Sequence, residues 1–115
     1  MNPPTLLSRD VRGDSLFLTL EVSPDHECFR GHFPGFPVLP GVVQLHWAVE
    51  IGREHFGFGQ AVSDIRRLKF KSVVTPPATL ELEVTRTGPH EARFVYSRSG
   101  TVYSQGRLVF TGPTP

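Results

Sequence analysis

The sequence is poor in cysteine, in net charge and in long apolar runs. Its 115 residues hold a single cysteine, Cys28. An internal disulfide framework is therefore excluded, and a reducing, cytoplasmic setting is expected. Twelve basic residues stand against eleven acidic ones, a net charge of +1. That balance argues against nucleic acid as the main partner, because phosphate binding needs a basic excess on one face. No apolar run approaches the roughly 20 residues that cross a bilayer, so no membrane partner is expected. Met1 to Arg12 lacks the basic-then-apolar layout of a signal peptide. What remains is ordinary globular material. The residues AVILMFWYC make up 38%, and adding the 11 glycines brings the apolar share to a normal value. The length predicts one domain, 1–115, with its own core.

Most of the chain alternates. Ser15 to Val22 places Leu16, Leu18, Leu20 and Val22 on one face and Phe17, Thr19 and Glu21 on the other, the pattern of a half-buried strand. Thr79 to Thr85 repeats it with Leu80, Leu82 and Val84, and Glu91 to Arg98 with Ala92, Phe94 and Tyr96. Thr101 to Phe110 follows more loosely, after a hairpin turn at Ser99-Gly100. Val62 to Val74 reads as a longer strand, ended by Pro76-Pro77 because proline cannot donate to a ladder.

Pro40 to Phe56 is different. Leu45, Ala48, Val49 and Gly52 recur at spacings of three and four, which predicts a helix. Pro40 suits the helix start, and Gly57 and Gly59 suit its stop. Apolar side chains around much of this helix predict that it is buried. The expected fold is α+β, with one central helix wrapped by a curved antiparallel sheet of five or six strands.

Ahead of that helix runs Cys28-Phe-Arg-Gly-His32-Phe-Pro34-Gly-Phe-Pro37-Val-Leu-Pro40-Gly41. Prolines at every third position fix φ. They stiffen the connection between His32 and the helix start, and an ionisable side chain on a stiff mount suits acid–base catalysis. Gly31-His32-Phe33-Pro34, Pro37-Val38 and Pro40-Gly41-Val42-Val43 resemble the signature of the hot-dog-fold (3R)-hydroxyacyl-[acyl-carrier-protein] dehydratases. The resemblance continues through Ile65 to Lys71, Val74, Pro76 and Leu80 to Val84. Pro40-Gly41-Val42-Val43-Gln44-Leu45-His46-Trp47-Ala48 is also similar to a subgroup associated with aryl polyene and related pigment pathways.

The resemblance implies a hot-dog fold and the dehydration of (3R)-3-hydroxyacyl thioesters to trans-2-enoyl thioesters. It implies no metal and no redox cofactor. The substrate arrives on an acyl carrier protein, and the sites are shared across a homodimer. His32 matches the base that takes the C2 proton, and imidazole titrates near the working pH. Gly41 matches the residue whose backbone N–H binds the thioester oxygen, at a helix N-terminus with a favourable dipole. One departure matters. Fourteen residues after the histidine the family carries Glu or Asp as its acid, and this chain has His46. Four residues on, where Gln is common, stands Glu50. Positions i and i+4 share a helix face, so protonated His46 is expected to donate to the leaving hydroxyl while Glu50 supports its charge.

Other readings stay open on residues alone. His46 as a core histidine would leave a non-catalytic acyl-thioester binding domain, or a partner subunit needing a second chain. Thioester hydrolysis is a further option, because a fold does not dictate chemistry. His26, Cys28, His32, His46 and His55 match no standard zinc spacing, so no metal is expected. Cys28 is expected to be a small buried thiol rather than a nucleophile. Gln44 and Trp47 are assigned to packing or to shaping the acyl tunnel, with no chemistry. Arg66, Arg67, Lys69 and Lys71 form the one basic cluster, read either as a solvated face or as a dock for an acidic carrier protein.

Overall fold

The computed structural model describes residues 2–29 and 37–112. Six strands and one long helix follow in the order β1 (Thr5–Arg12), β2 (Ser15–Val22), α1 (Gly41–Phe56), β3 (Val62–Phe70), β4 (Ala78–Gly88), β5 (Glu91–Arg98) and β6 (Thr101–Phe110). A short 3-10 turn, Glu27–Phe29, precedes the helix. The strands form one antiparallel sheet in the order β1-β2-β4-β5-β6-β3, leaving β1 and β3 at its edges.

The alternating residues build the core as their period requires. Cross-strand pairing aligns Leu18, Leu82, Tyr96, Ser104 and Phe70 in one row over five strands. Leu16, Val84, Phe94 and Gly106 form the next row. All of these except Phe70 are buried, Phe94, Tyr96, Val84 and Ser104 completely. The hairpin at Ser99-Gly100 has both residues left-handed, φ 49° and 84°, the twist that matches paired strands.

The helix runs from Gly41 to Phe56, as its spacing predicts. It ends on Gly57 at φ 71°, whose N–H bonds the Arg53 carbonyl, a left-handed stop that glycine reaches without a Cβ penalty. Its buried stripe is Val43, Gln44, Trp47, Ala48 and Gly52. Leu45 and Val49 are only half-buried, and Val42, His46 and Glu54 are exposed. The helix, expected to be buried, instead covers the sheet with one side and presents the other outward, because its buried residues fill a single stripe.

Three further details depart from the sequence expectation. β1 pairs with β2 although Thr5–Arg12 has no alternation, and every one of its residues is exposed. The strand expected over Val62 to Val74 stops at Phe70. Beyond it the N–H groups of Lys71 and Ser72 both turn to the Tyr103 carbonyl, at 2.8 and 3.3 Å. Within β3 the register slips between Arg66, opposite Arg107, and Lys69, opposite Gln105. Arg67 carries the extra residue at φ 52°, a bulge invisible to strand periodicity.

Candidate active site

His32 and its Gly31-His32-Phe33-Pro34 surroundings lie outside the described residues. The rest of the expected site is on α1 and its entry. Leu39 enters by donating its N–H to the Val74 carbonyl at 2.8 Å. Pro40, extended at ψ 141°, offers its carbonyl to the N–H groups of Val43 and Gln44 at 3.1 and 3.2 Å. The N–H groups ahead of these in an α-helix have no partner within the helix, and that of Gly41 is one of them. They lie at the positive end of the helix dipole. A Cβ built on Gly41 would stand 2.6 and 2.7 Å from two ring carbons of Phe70, so only glycine fits beneath that ring as placed.

A buried polar network fixes this first turn to the sheet. Tyr96 Oη donates to the Gln44 carbonyl at 2.7 Å. Ser104 Oγ donates to Gln44 Oε1 at 2.6 Å, and Gln44 Nε2 donates to the Leu39 carbonyl at 3.3 Å. Burial pushes the Tyr96 phenol well above its ordinary pKa, so it serves as a neutral donor. Gln44 was expected to pack, and it does so as the hub of this network. The inward register of Ser104 and Tyr96 was the available signal.

His46 lies one turn beyond Val42 on the open face of the helix, and both are exposed. Val42 is 71% exposed. Glu50 continues that face, but its two oxygens each accept from Arg53 Nη2 at 2.6 Å. The structure thus gives Glu50 an arginine partner on its own helix.

The other histidines have separate duties. Cys28 N–H donates to His26 Nδ1 at 3.0 Å, and His26 Nε2 lies 3.0 Å from the Asn2 carbonyl. With Nδ1 accepting, Nε2 is the nitrogen that donates to the Asn2 carbonyl. The Asn2 carbonyl also receives the Trp47 indole N–H at 3.2 Å. His55 Nδ1 lies 3.0 Å from the Arg9 guanidinium. Among the described residues no three His, Cys, Asp or Glu side chains group as metal ligands. Cys28 is 3% exposed, and burial pushes its thiol up, against a smaller opposing backbone hydrogen bond. A nucleophilic cysteine needs the reverse.

The basic cluster is divided. Arg66 Nε donates to Asp64 at 2.7 Å, which holds that carboxyl below its ordinary value. Arg67 occupies the bulge, Lys69 faces outward beside Gln105, and Lys71 lies past the strand end. The edge strand β3 also shows Ile65, Leu68 and Phe70 at 38, 37 and 51% exposure, near Val73 at 69%.

The model of ApeI-like dehydratases (ApeI dehydratase) matches residues 8–107. The chain belongs to this family. It is 34% identical over 102 residues to the 3-hydroxyacyl-[acyl-carrier-protein] dehydratase FabZ of Herpetosiphon aurantiacus, covering 77% of this chain and 71% of that protein. It is 34% identical over 111 residues to FabZ of Erythrobacter litoralis, covering 89% and 68%. The dehydratase heterocomplex ApeI:P of Xenorhabdus doucetiae contains a chain that superposes with a TM-score of 0.86 at 29% identity, covering 94% of this chain and 97% of that one. The helix-on-sheet architecture is thus the hot-dog fold, and the chain is a dehydratase. No helix among the described residues is long and apolar enough to cross a membrane.

Proposed function

We propose that this dehydratase removes water from (3R)-3-hydroxyacyl thioesters carried on an acyl carrier protein, in fatty acid or aryl polyene-type synthesis, and that a histidine pair does the chemistry. His32 takes the C2 proton. The electrons form the C2–C3 double bond as the C3–O bond breaks, and protonated His46 delivers its proton to the departing hydroxyl, which leaves as water. Charge that gathers on the thioester oxygen meets the Gly41 N–H at the helix N-terminus. Gln44, bonded to Ser104 and Tyr96, holds that turn in place.

The observation that carries the reading is the exposure of His46 on the open face of the family's central helix. A core histidine would lie on the stripe of Val43, Trp47 and Ala48, which is buried. Glu50 is assigned a positioning role. Because its two oxygens are already bonded to Arg53, its support for an imidazolium is weak.

The site is completed by a second chain. The edge position of β3 among the described residues and the apolar residues exposed there, Val42, Ile65, Leu68 and Val73, support a homodimer through this face. In that dimer His32 of one chain works with His46 of the other. A second reading, a partner of different sequence, is favoured by the ApeI:P heterocomplex among the structural relatives. The single, buried thiol of Cys28 supports a cytoplasmic setting.

The test is water loss from a short carrier-bound 3-hydroxyacyl substrate, followed by mass, for the wild type, His32→Ala and His46→Ala. Turnover by the wild type and loss of at least about 100-fold in each variant is expected, the scale of removing a general acid or base. Turnover that survives His46→Ala moves the acid elsewhere. A free carrier thiol in place of the enoyl product would instead mean hydrolysis.

A further inference from the structure

Phe70 sits where unbroken pairing from Arg66 would put a lysine. Arg66 pairs with Arg107 on the outer face of the sheet. Regular pairing from there would set Lys69 opposite Ser104, on the helix side, and turn Phe70 outward. The extra residue at Arg67, left-handed at φ 52°, reverses that parity. Lys69 falls outside beside Gln105, and Phe70 falls inside beside Ser104, the residue that bonds Gln44 in the first turn of α1. An arginine has no intrinsic preference for this backbone region. Bulges of this kind re-aim a side chain. Here the result is an aromatic ring whose carbons lie 2.6, 2.7 and 3.1 Å from the position a methyl group on Gly41 would take. The ring closes the space beside the helix start, yet it remains 51% exposed.

We propose that Phe70 is a specificity-determining wall of the thioester subsite, set against Gly41 by the bulge at Arg67, and that it selects acyl groups unbranched at C2. The inference rests on the assignment of the thioester oxygen to the Gly41 N–H. With the oxygen there, the thioester carbon and C2 are the substrate atoms nearest the ring. A substituent on C2 is seated only by displacing the ring from its place against Gly41. It also keeps water from the hydrogen bond to the oxygen, and a dry site strengthens such a bond.

The experiment is competition between a carrier-bound 3-hydroxyacyl substrate and its 2-methyl analogue, supplied as both C2 epimers, for the wild type, Phe70→Ala and Phe70→Leu. The wild type is expected to prefer the unbranched substrate by at least about tenfold in kcat/KM, within the range one methyl group commands in a pocket. Phe70→Ala should lower that preference at least about fivefold, with Phe70→Leu between the two. Size-exclusion chromatography checks that assembly is unchanged, and Phe70→Leu serves alone if Phe70→Ala does not assemble. A purely structural role would lower both activities together and leave their ratio fixed. An unchanged ratio, or a wild type that takes both substrates equally, overturns the inference while leaving the dehydratase reading intact. A wild type that dehydrates neither overturns that reading first.

Discussion

Replacing Ser104 by alanine should expose how the first turn of α1 is held. Ser104 is fully buried and Gln44 is 3% exposed. Their side chains share a hydrogen bond of 2.6 Å. Ser104→Ala leaves Gln44 Oε1 without that donor in a buried place, which costs about 1–3 kcal/mol. Gln44→Leu leaves the Ser104 hydroxyl in the same position, at a similar cost of about 1–3 kcal/mol. It also removes the weaker 3.3 Å bond to Leu39. The double variant leaves neither side chain orphaned. Its loss should fall short of the sum of the two by about 1–2 kcal/mol, the coupling of directly contacting groups. For a domain of this size, 1 kcal/mol moves Tm by about 3–6 °C. Urea unfolding followed by the fluorescence of Trp47, the only tryptophan and 2% exposed, measures all three variants. Protein concentration is kept constant, since assembly shifts apparent stability. Losses that add to within about 0.5 kcal/mol would refute the network, because independent sites behave that way.

Four further outcomes follow from the geometry. Glu50→Gln should change kcat less than about fivefold and stability by about 0.2–1 kcal/mol, the scale of an exposed ion pair; a loss matching that of His46→Ala would contradict the Arg53-bound role. Gly41→Ala should keep the fold, because the half-exposed Phe70 ring can swing away, but lower kcat/KM at least about tenfold as the helix start is crowded; unchanged kinetics would remove Gly41 from the site. Cys28 should react with an alkylating reagent at least about tenfold more slowly in the native protein than in urea, since burial both hides the thiol and disfavours its thiolate; equal rates would contradict its placement. Lys69→Glu combined with Lys71→Glu should weaken apparent affinity for a carrier-bound substrate and flatten its salt dependence; an unchanged KM would assign those lysines to a solvated surface.

The core was legible because its signal is local. Leu16, Leu18 and Leu20, Leu80, Leu82 and Val84, and Ala92, Phe94 and Tyr96 alternate within single strands, and all are buried. The bounds of α1 were legible from Pro40 and Gly57. β1 was not, because an exposed edge strand has no face to bury and therefore no period. The bulge at Arg67 was not, because register is a relation between β3 and β6 that neither strand contains alone. For the same reason the ring of Phe70 over Gly41 was hidden. The Gln44 network joins residues 52 and 60 positions apart, beyond any spacing rule. The motif around His32 and the substitution at His46 were plain in the sequence. Their meeting depends on a second chain.

The most direct test of the shared histidine pair is therefore complementation. His32→Ala and His46→Ala proteins, each inactive alone, are unfolded together, refolded as a mixture and assayed for water loss. Random pairing makes half the dimers mixed, each with one intact site of two, so about a quarter of wild-type activity should return if an isologous dimer shares its sites. A mixture as inactive as its components would contradict a site built from both chains.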